Sequence, residues 1–293
     1  MEFDLIVLPM LKRKLLLGHN IAASHNIAEA NKIITKNNGN CFQIFLRSPI
    51  KVSFDSKFNG NAPINTVFVV HSPYYINFAR ESPLWMHKVM KSEFNIASDL
   101  GAIGCIIHMG KSNTSNGKLD ESVAIKNYRE NIENLIENCT AVSNSCKLIL
   151  ETAAGQGSEM CTKIEDLGKL YNNINKKYKS KIGICIDTAH IWAAGYNISS
   201  REGALNFIKL FNIEIGLDNL SVIHLNNSRV GCGSKVDAHE NLDKGNINLE
   251  GLKVFMELGY YLAIPLILET KEPFNKQLQL ILDKLNIHSR PFS

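Results

Sequence analysis

Nine residues of this chain could act together on metal ions. Apolar, often β-branched runs end in them: TVFVVH (66–71) closes on His71, IGCIIH (103–108) on His108, KLILE (147–151) on Glu151, IGICID (182–187) on Asp187 and IPLILE (264–269) on Glu269, while LSVIHL (220–225) carries His224. His190 follows three residues after Asp187, and Asp237 and His239 lie in the long stretch after His224. Imidazole and carboxylate without cysteine suit a catalytic zinc or manganese centre better than a closed structural site. Each position has a plain structural explanation when taken alone. A single His near a strand end is more often a hydrogen-bonded structural residue, a carboxylate closing an apolar strand is often a helix cap, and Asp-Ala-His arises easily by chance. The conjunction changes that weighting, because five of the nine histidines and four acids fall at one end of the apolar runs. Nine ligands are too many for one ion or a usual pair; three ions, with about three or four ligands each and shared bridges, fit the number.

Residues spread from 71 to 269 converge only if the elements carrying them run side by side in one direction. Two further runs, LLLGH (15–19) and CFQIF (41–45), complete a set of eight, and helical patterns lie between them at about 25–37, 83–100, 120–143, 163–178, 200–212, 249–258 and 275–285. Continuous apolar strands separated by helices indicate a parallel sheet covered on its outer face. Eight such units match the (β/α)8 TIM barrel, an α/β fold of about 250 residues whose chemistry sits where strands pass into loops. The second unit is the weak one, since VSFDSKFNGNA (52–62) reads as loop. The doubly wound open sheet is the alternative, but no GxGxxG follows the first run. One domain is expected over 15–293, preceded by a short leader, 1–14.

Composition sets the outer bounds. The 293 residues are 45% hydrophobic and 20% charged, which excludes a disordered tail, a collagen or a coiled coil. A net charge of +4 permits a polyanionic partner without arguing for one. The cysteines are odd in number, seven, show no CxxC pair and lie partly in apolar runs, as free thiols of a reducing compartment such as cytoplasm or nucleus do. No apolar run approaches the roughly 18 residues of a membrane helix, and the leader has its basic residues Lys12, Arg13 and Lys14 after the apolar stretch, the reverse of a secretory signal.

The segments HSPYYINFA (71–79), LETAAGQG (150–157), IDTAHIWAAGY (186–196), IHLNNSR (223–229) and ILET (267–270) resemble the signatures of the endonuclease IV family, zinc-dependent apurinic/apyrimidinic endonucleases of base-excision repair. The match runs in register from about Leu15 to Leu285. The resemblance implies the same barrel and three zinc ions per chain, with manganese able to substitute. It would place the first on His71, His108 and Glu151, the second on Glu151, Asp187, His224 and Glu269, and the third on His190, Asp237 and His239. It implies hydrolysis on the 5′ side of an abasic site in double-stranded DNA by a single chain, with Glu151 bridging two ions and Glu269 orienting the attacking water. Tyr74 and Tyr75, directly after His71, stand where the family wedges side chains into the base stack, although exposed tyrosines are more often loop packing. Ser48-Pro49-Ile50 stands where the family usually reads Asn-Pro-Arg, so Ile50 meets DNA in place of an Arg. Ala238 replaces another usual Arg, and HENLDKG (239–245) departs from His-Glu-His-Ile-Gly. Three divalent ions would raise the chain from +4 to about +10 and focus positive potential at the barrel mouth. Lys111, Lys235 and Lys271 could track phosphates there, or be ordinary solvated lysines. The rival enzyme class is a metal-dependent sugar isomerase or epimerase of the xylose-isomerase-like type, which has no use for a third cluster at Asp237 and His239. A non-catalytic zinc-dependent DNA-binding module is the rival outside enzymes.

Overall fold

The computed structural model describes residues 12–21, 27–53, 66–81, 84–114, 117–271 and 273–287. Eight strands close into a barrel: β1 (Leu17–Ile21), β2 (Cys41–Ile44), β3 (Val67–His71), β4 (Gly104–Ile107), β5 (Lys147–Glu151), β6 (Ile182–Asp187), β7 (Leu220–His224) and β8 (Leu266–Leu268). Each pairs in parallel with its neighbours in sequence, and β8 closes on β1 through Leu17 and Leu266. All eight expected apolar runs are therefore strands, within a residue or two at each end. Eight described helices accompany them: α1 (Ile27–Lys36), α2 (Leu84–Leu100), α3 (Glu121–Asn138), α4 (Ile164–Asn173), α5 (Thr188–Ala194), α6 (Arg201–Glu214), α7 (Leu249–Leu262) and α8 (Phe274–Lys284).

Strand side chains alternate between two apolar compartments. The inward set is one compact layer, Leu16 just before β1 and one residue from each other strand, Cys41, Val69, Ile106, Ile149, Cys185, Val222 and Ile267, each buried. The outward set packs under the helices and forms the larger core, in which Phe42 and Phe68 stack with centroids 5.2 Å apart. At Gly18 the barrel wall tolerates no side chain, since a Cβ would lie 1.6 Å from the carbonyl oxygen of Cys41.

Two expected helices end early. The segment 120–143 is helical only to Asn138; Cys139 is extended, and Cys139 and Val142 are buried in the turn toward β5, which prolonged the apolar pattern. The segment 163–178 breaks after Asn173 into a 3-10 turn, Lys176–Lys181, started by Asn175 accepting from the Lys177 N–H. Helix α5 lies in a segment read only as a motif. Of the 52–62 stretch, residues 52 and 53 are not helical and the remainder lies outside the described residues, as do residues 1–11 of the leader. The exposed remainder of that leader docks on the end of α7, where the Lys12 N–H donates to Tyr261 O (2.7 Å) and the Lys14 N–H to Tyr260 O (3.0 Å).

Candidate metal centre

The alternation that builds the inner apolar layer also builds the site. Two residues beyond each member of that layer, or four beyond Leu16 with Gly18 between, the inward position toward the strand ends is polar: Asn20, Gln43, His71, His108, Glu151, Asp187, His224 and Glu269. Six of these eight are expected ligands. The other three come from just outside the ring, His190 on α5 and Asp237 and His239 on the loop after β7.

Glu151 lies at the centre. Its Oε2 is 3.3 Å from His71 Nε2 and 3.1 Å from His108 Nε2, and its Oε1 is 2.8 Å from His224 Nδ1. The two oxygens thus serve two separate groups. The second group continues from His224 Nδ1 to Glu269 Oε2 at 3.4 Å and Asp187 Oδ2 at 3.7 Å. In the third, Asp237 Oδ1 lies 3.3 Å from His190 Nε2 and 3.1 Å from His239 Nε2, and His239 Nε2 is 3.4 Å from Asp187 Oδ2. Donor atoms within each of the sets His71–His108–Glu151, Glu151–Asp187–His224–Glu269 and Asp187–His190–His239 are close enough to share one ion.

Outer contacts fix which imidazole nitrogen is free. His71 Nδ1–H donates to Ser72 O (2.8 Å), His190 Nδ1–H to Thr152 O (2.8 Å), and His224 Nε2–H to Gln43 Oε1 (2.8 Å). In each the other nitrogen is turned toward the carboxylates, the arrangement metal-binding histidines use. The Nε2 atoms of His190 and His239 are buried and complete no hydrogen bond among the described residues, which fits a lone pair held for a cation. Burial alone would lower these imidazoles and raise the carboxylates, but opposite charges prevail. Asp187 raises His190 well above the usual imidazole range and brings His239 to about 9, while His224 and His108 hold Glu151 well below the usual carboxylate range. A bound cation would take the place of those protons. Cys185 lies within reach of Glu151 and His224, but burial pushes its thiol up to about 12, so it stays neutral and is a poor rival to Asp187.

Asp187 does two jobs. Its Oδ1 caps α5, accepting from the Ala189 N–H (2.7 Å) and the His190 N–H (3.0 Å), while Oδ2 faces the metal groups. The helix-cap explanation of this residue holds, the cap aims His190, and Oδ2 is left on the side of the other candidate ligands. Gln43, Asn226 and Gln156 support the candidate ligands, and as neutral amides they carry no charge signal in the sequence. Gln43 Nε2–H donates to Glu269 Oε1 (2.7 Å), Asn226 Nδ2–H to Asp187 Oδ2 (2.8 Å), and Gln156 Oε1 accepts from the Asp237 N–H (2.9 Å). Strand parity would have found the first two, since Gln43 follows Cys41 and Asn226 follows His224 by two places.

The cluster opens through a cavity of about 170 Å³ into a groove of about 420 Å³. Lys111, Arg229 and Lys271 line the groove, with Lys111 3.7 Å from Glu159; Lys235 is exposed outside that lining. Tyr74, 53% exposed, stands over the histidines, its ring 5.5 Å from His71 and 5.3 Å from His108. Tyr75 is only half-exposed: its hydroxyl donates to Ser53 O (3.4 Å) and its ring lies 6.0 Å from that of Trp85. Ile50 is 77% exposed, on a loop joined to the tyrosine loop by the Tyr74 N–H donating to Pro49 O (3.0 Å). Ala238 is buried and its carbonyl accepts from the Arg229 N–H (2.9 Å).

Residues 62–285 match the family model described as a xylose isomerase-like TIM barrel. The chain is 34% identical over 270 residues to a putative endonuclease 4 of Acanthamoeba polyphaga mimivirus, covering 87% of this chain and 85% of that relative. Among solved structures it resembles endonuclease IV from Thermus thermophilus with a TM-score of 0.75 and 25% identity, over 93% of this chain and 99% of that one. A D-tagatose 3-epimerase-like protein superimposes with a TM-score of 0.66 at 18% identity, over 93% of this chain and 98% of that one, a likeness of fold alone. The chain belongs to the endonuclease IV family.

Proposed function

We propose, on the premise of that membership, that this protein is a DNA-repair endonuclease that hydrolyses the phosphodiester 5′ to an abasic site in double-stranded DNA at a trinuclear zinc centre. The products would be a 3′-hydroxyl and a 5′-deoxyribose phosphate. The observation that supports it most is Glu151, whose two oxygens face two different sets of imidazoles, as a carboxylate shared by two ions must. His71 and His108 would complete the first site, Asp187, His224 and Glu269 the second, and His190, Asp237 and His239 the third. When bound, the ions would lower the pKa of a water toward about 7 and neutralise phosphate charge.

The remaining work falls to the chain. Gln43 and Asn226 pin Glu269 from both sides, since Asn226 Nδ2–H donates to Glu269 Oε2 (3.2 Å) and Asn226 Oδ1 accepts from the Glu269 N–H (2.9 Å). A carboxylate so fixed can accept a proton from the attacking water and hold it in line. The sugar must leave the helix to reach a cluster this deep. Tyr74, Tyr75 and Ile50, on two joined loops beside the cavity, would fill the gap it leaves, and Lys111, Arg229 and Lys271 would carry phosphates along the groove. Six buried cysteines and one exposed, Cys232, with no disulfide between them, suit a reducing compartment. No helix among the described residues is long and apolar enough to cross a membrane. The sugar-epimerase alternative rests on fold alone and leaves the third ligand group and the cation-lined groove without a task. The test is incubation with a duplex bearing one abasic site, with and without chelator. Chelator-sensitive cutting that leaves a 3′-hydroxyl is expected, and an uncut duplex in zinc or manganese refutes the reading.

A further inference from the structure

The polar ring has one member from each strand, and seven of the eight are bonded to one another or to Asn226. His71, His108 and His224 meet Glu151, Gln43 bridges His224 and Glu269, and Asn226 holds Asp187. Asn20 is the exception. It faces Gln43 in register across β1 and β2 and lines the 170 Å³ cavity with the candidate ligands, yet its Oδ1 is buried with no hydrogen-bond partner among the described residues. A buried acceptor left unpaired is destabilising, and asparagine is a poor strand former. Neither packing nor strand propensity accounts for an amide here. A ligand carrying an O–H group would satisfy it.

We propose that Asn20 is a substrate-contacting residue whose Oδ1 accepts a hydrogen bond from an O–H donor held in the cavity. This deepens the function proposed above and rests on it. Two donors of the same chemistry fit: the attacking water, or the anomeric hydroxyl that an abasic deoxyribose has and an intact nucleotide lacks. A tetrahydrofuran abasic analogue, which has no such hydroxyl, separates them.

The experiment compares wild type, Asn20→Ala and Asn20→Leu on duplexes carrying a natural abasic site or the tetrahydrofuran analogue. Cleavage rates are read together with affinities in chelator, zinc content and melting temperature. Both variants should cut the natural site about 3- to 10-fold more slowly, as loss of one neutral hydrogen bond allows. Zinc content should be unchanged, and Asn20→Leu should melt no lower than wild type, because it removes the unpaired oxygen and keeps the volume. A loss confined to the natural site, with weaker affinity for it alone, identifies the sugar hydroxyl. Equal rate losses on both duplexes with affinities unchanged identify the water. Lower zinc content or melting temperature in both variants gives Asn20 a structural role and overturns the proposal. Variants matching wild type within about twofold on both duplexes overturn it as well. A wild type that cuts neither duplex overturns the underlying function instead.

Discussion

The candidate metal centre and the loops proposed to meet DNA lie side by side and are built on opposite plans. In the centre Asp187 and His224 are fully buried and Glu151 is 1% exposed, and Asp187, Glu151, His224 and Glu269 are each held by other side chains. On the loops the side chains of Ile50 and Tyr74 are 77% and 53% exposed, and the backbone beneath them is what is fixed. The loop roots are firm: Arg47 forms a buried ion pair with Glu93 and donates to Ser53 O (3.1 Å) and Ser92 Oγ (3.0 Å), gripping both ends of the Ser48–Ser53 loop. The difference separates two demands. Charge chemistry needs fixed residue types at fixed places, whereas filling a gap in a base stack needs only bulk and apolar surface. Every candidate ligand position carries the residue type the family resemblance implies, and the departures, Ile50 for Arg among them, fall largely on the loop side.

The largest effect should come from the centre. Glu151→Gln keeps the side-chain volume but removes the charge between two ion sites, so cleavage should be abolished with the far-UV CD spectrum intact. Activity within about tenfold of wild type would show that the bridge is not needed. Next comes the loop root. Arg47→Ala leaves Glu93 buried and unpaired, although burial already pushes that carboxyl up to about 7. Breaking such a pair typically costs about 3–5 kcal/mol, which denaturant melts would register; a loss under about 1 kcal/mol would place the loop's support elsewhere.

The exposed tips should have smaller and more selective effects. Tyr74→Ala or Tyr75→Ala should weaken capture of an abasic duplex by roughly 5- to 150-fold, since base–aromatic stacking is worth about 1–3 kcal/mol. Tyr74, the more exposed ring, should give the greater loss of the two. Zinc content should not change. A short 3′-blocked end that needs little bending is the control: equal losses on both substrates would make the tyrosines supports of the cluster. Smallest of all, alkylation of the unfolded protein without reductant should find all seven thiols, and a shortfall of two would reveal a disulfide.

The barrel and the convergence of the candidate ligands were legible in the sequence because both depend on strand periodicity. A β-branched run ending in His, Glu or Asp announces a strand and a cleft residue together. What stayed hidden did so for physical reasons. Helix α5 has seven residues, and Thr188 through Ala193 are all buried, so it has no polar face to give a helical period. Gln43 and Asn226 were passed over because a neutral amide neither binds zinc well nor titrates, although their two-residue offsets point them inward. Tyr74 and Tyr75 look equivalent in the sequence. Only the packing of Tyr75 toward Ser53 and Trp85 tells them apart.

The count of metal ions held by the purified protein tests the trinuclear centre most directly. After zinc supplementation and removal of loosely bound metal, elemental analysis should return close to three ions per chain, mostly zinc, as about three or four ligands to each ion require. One ion or fewer would contradict the account.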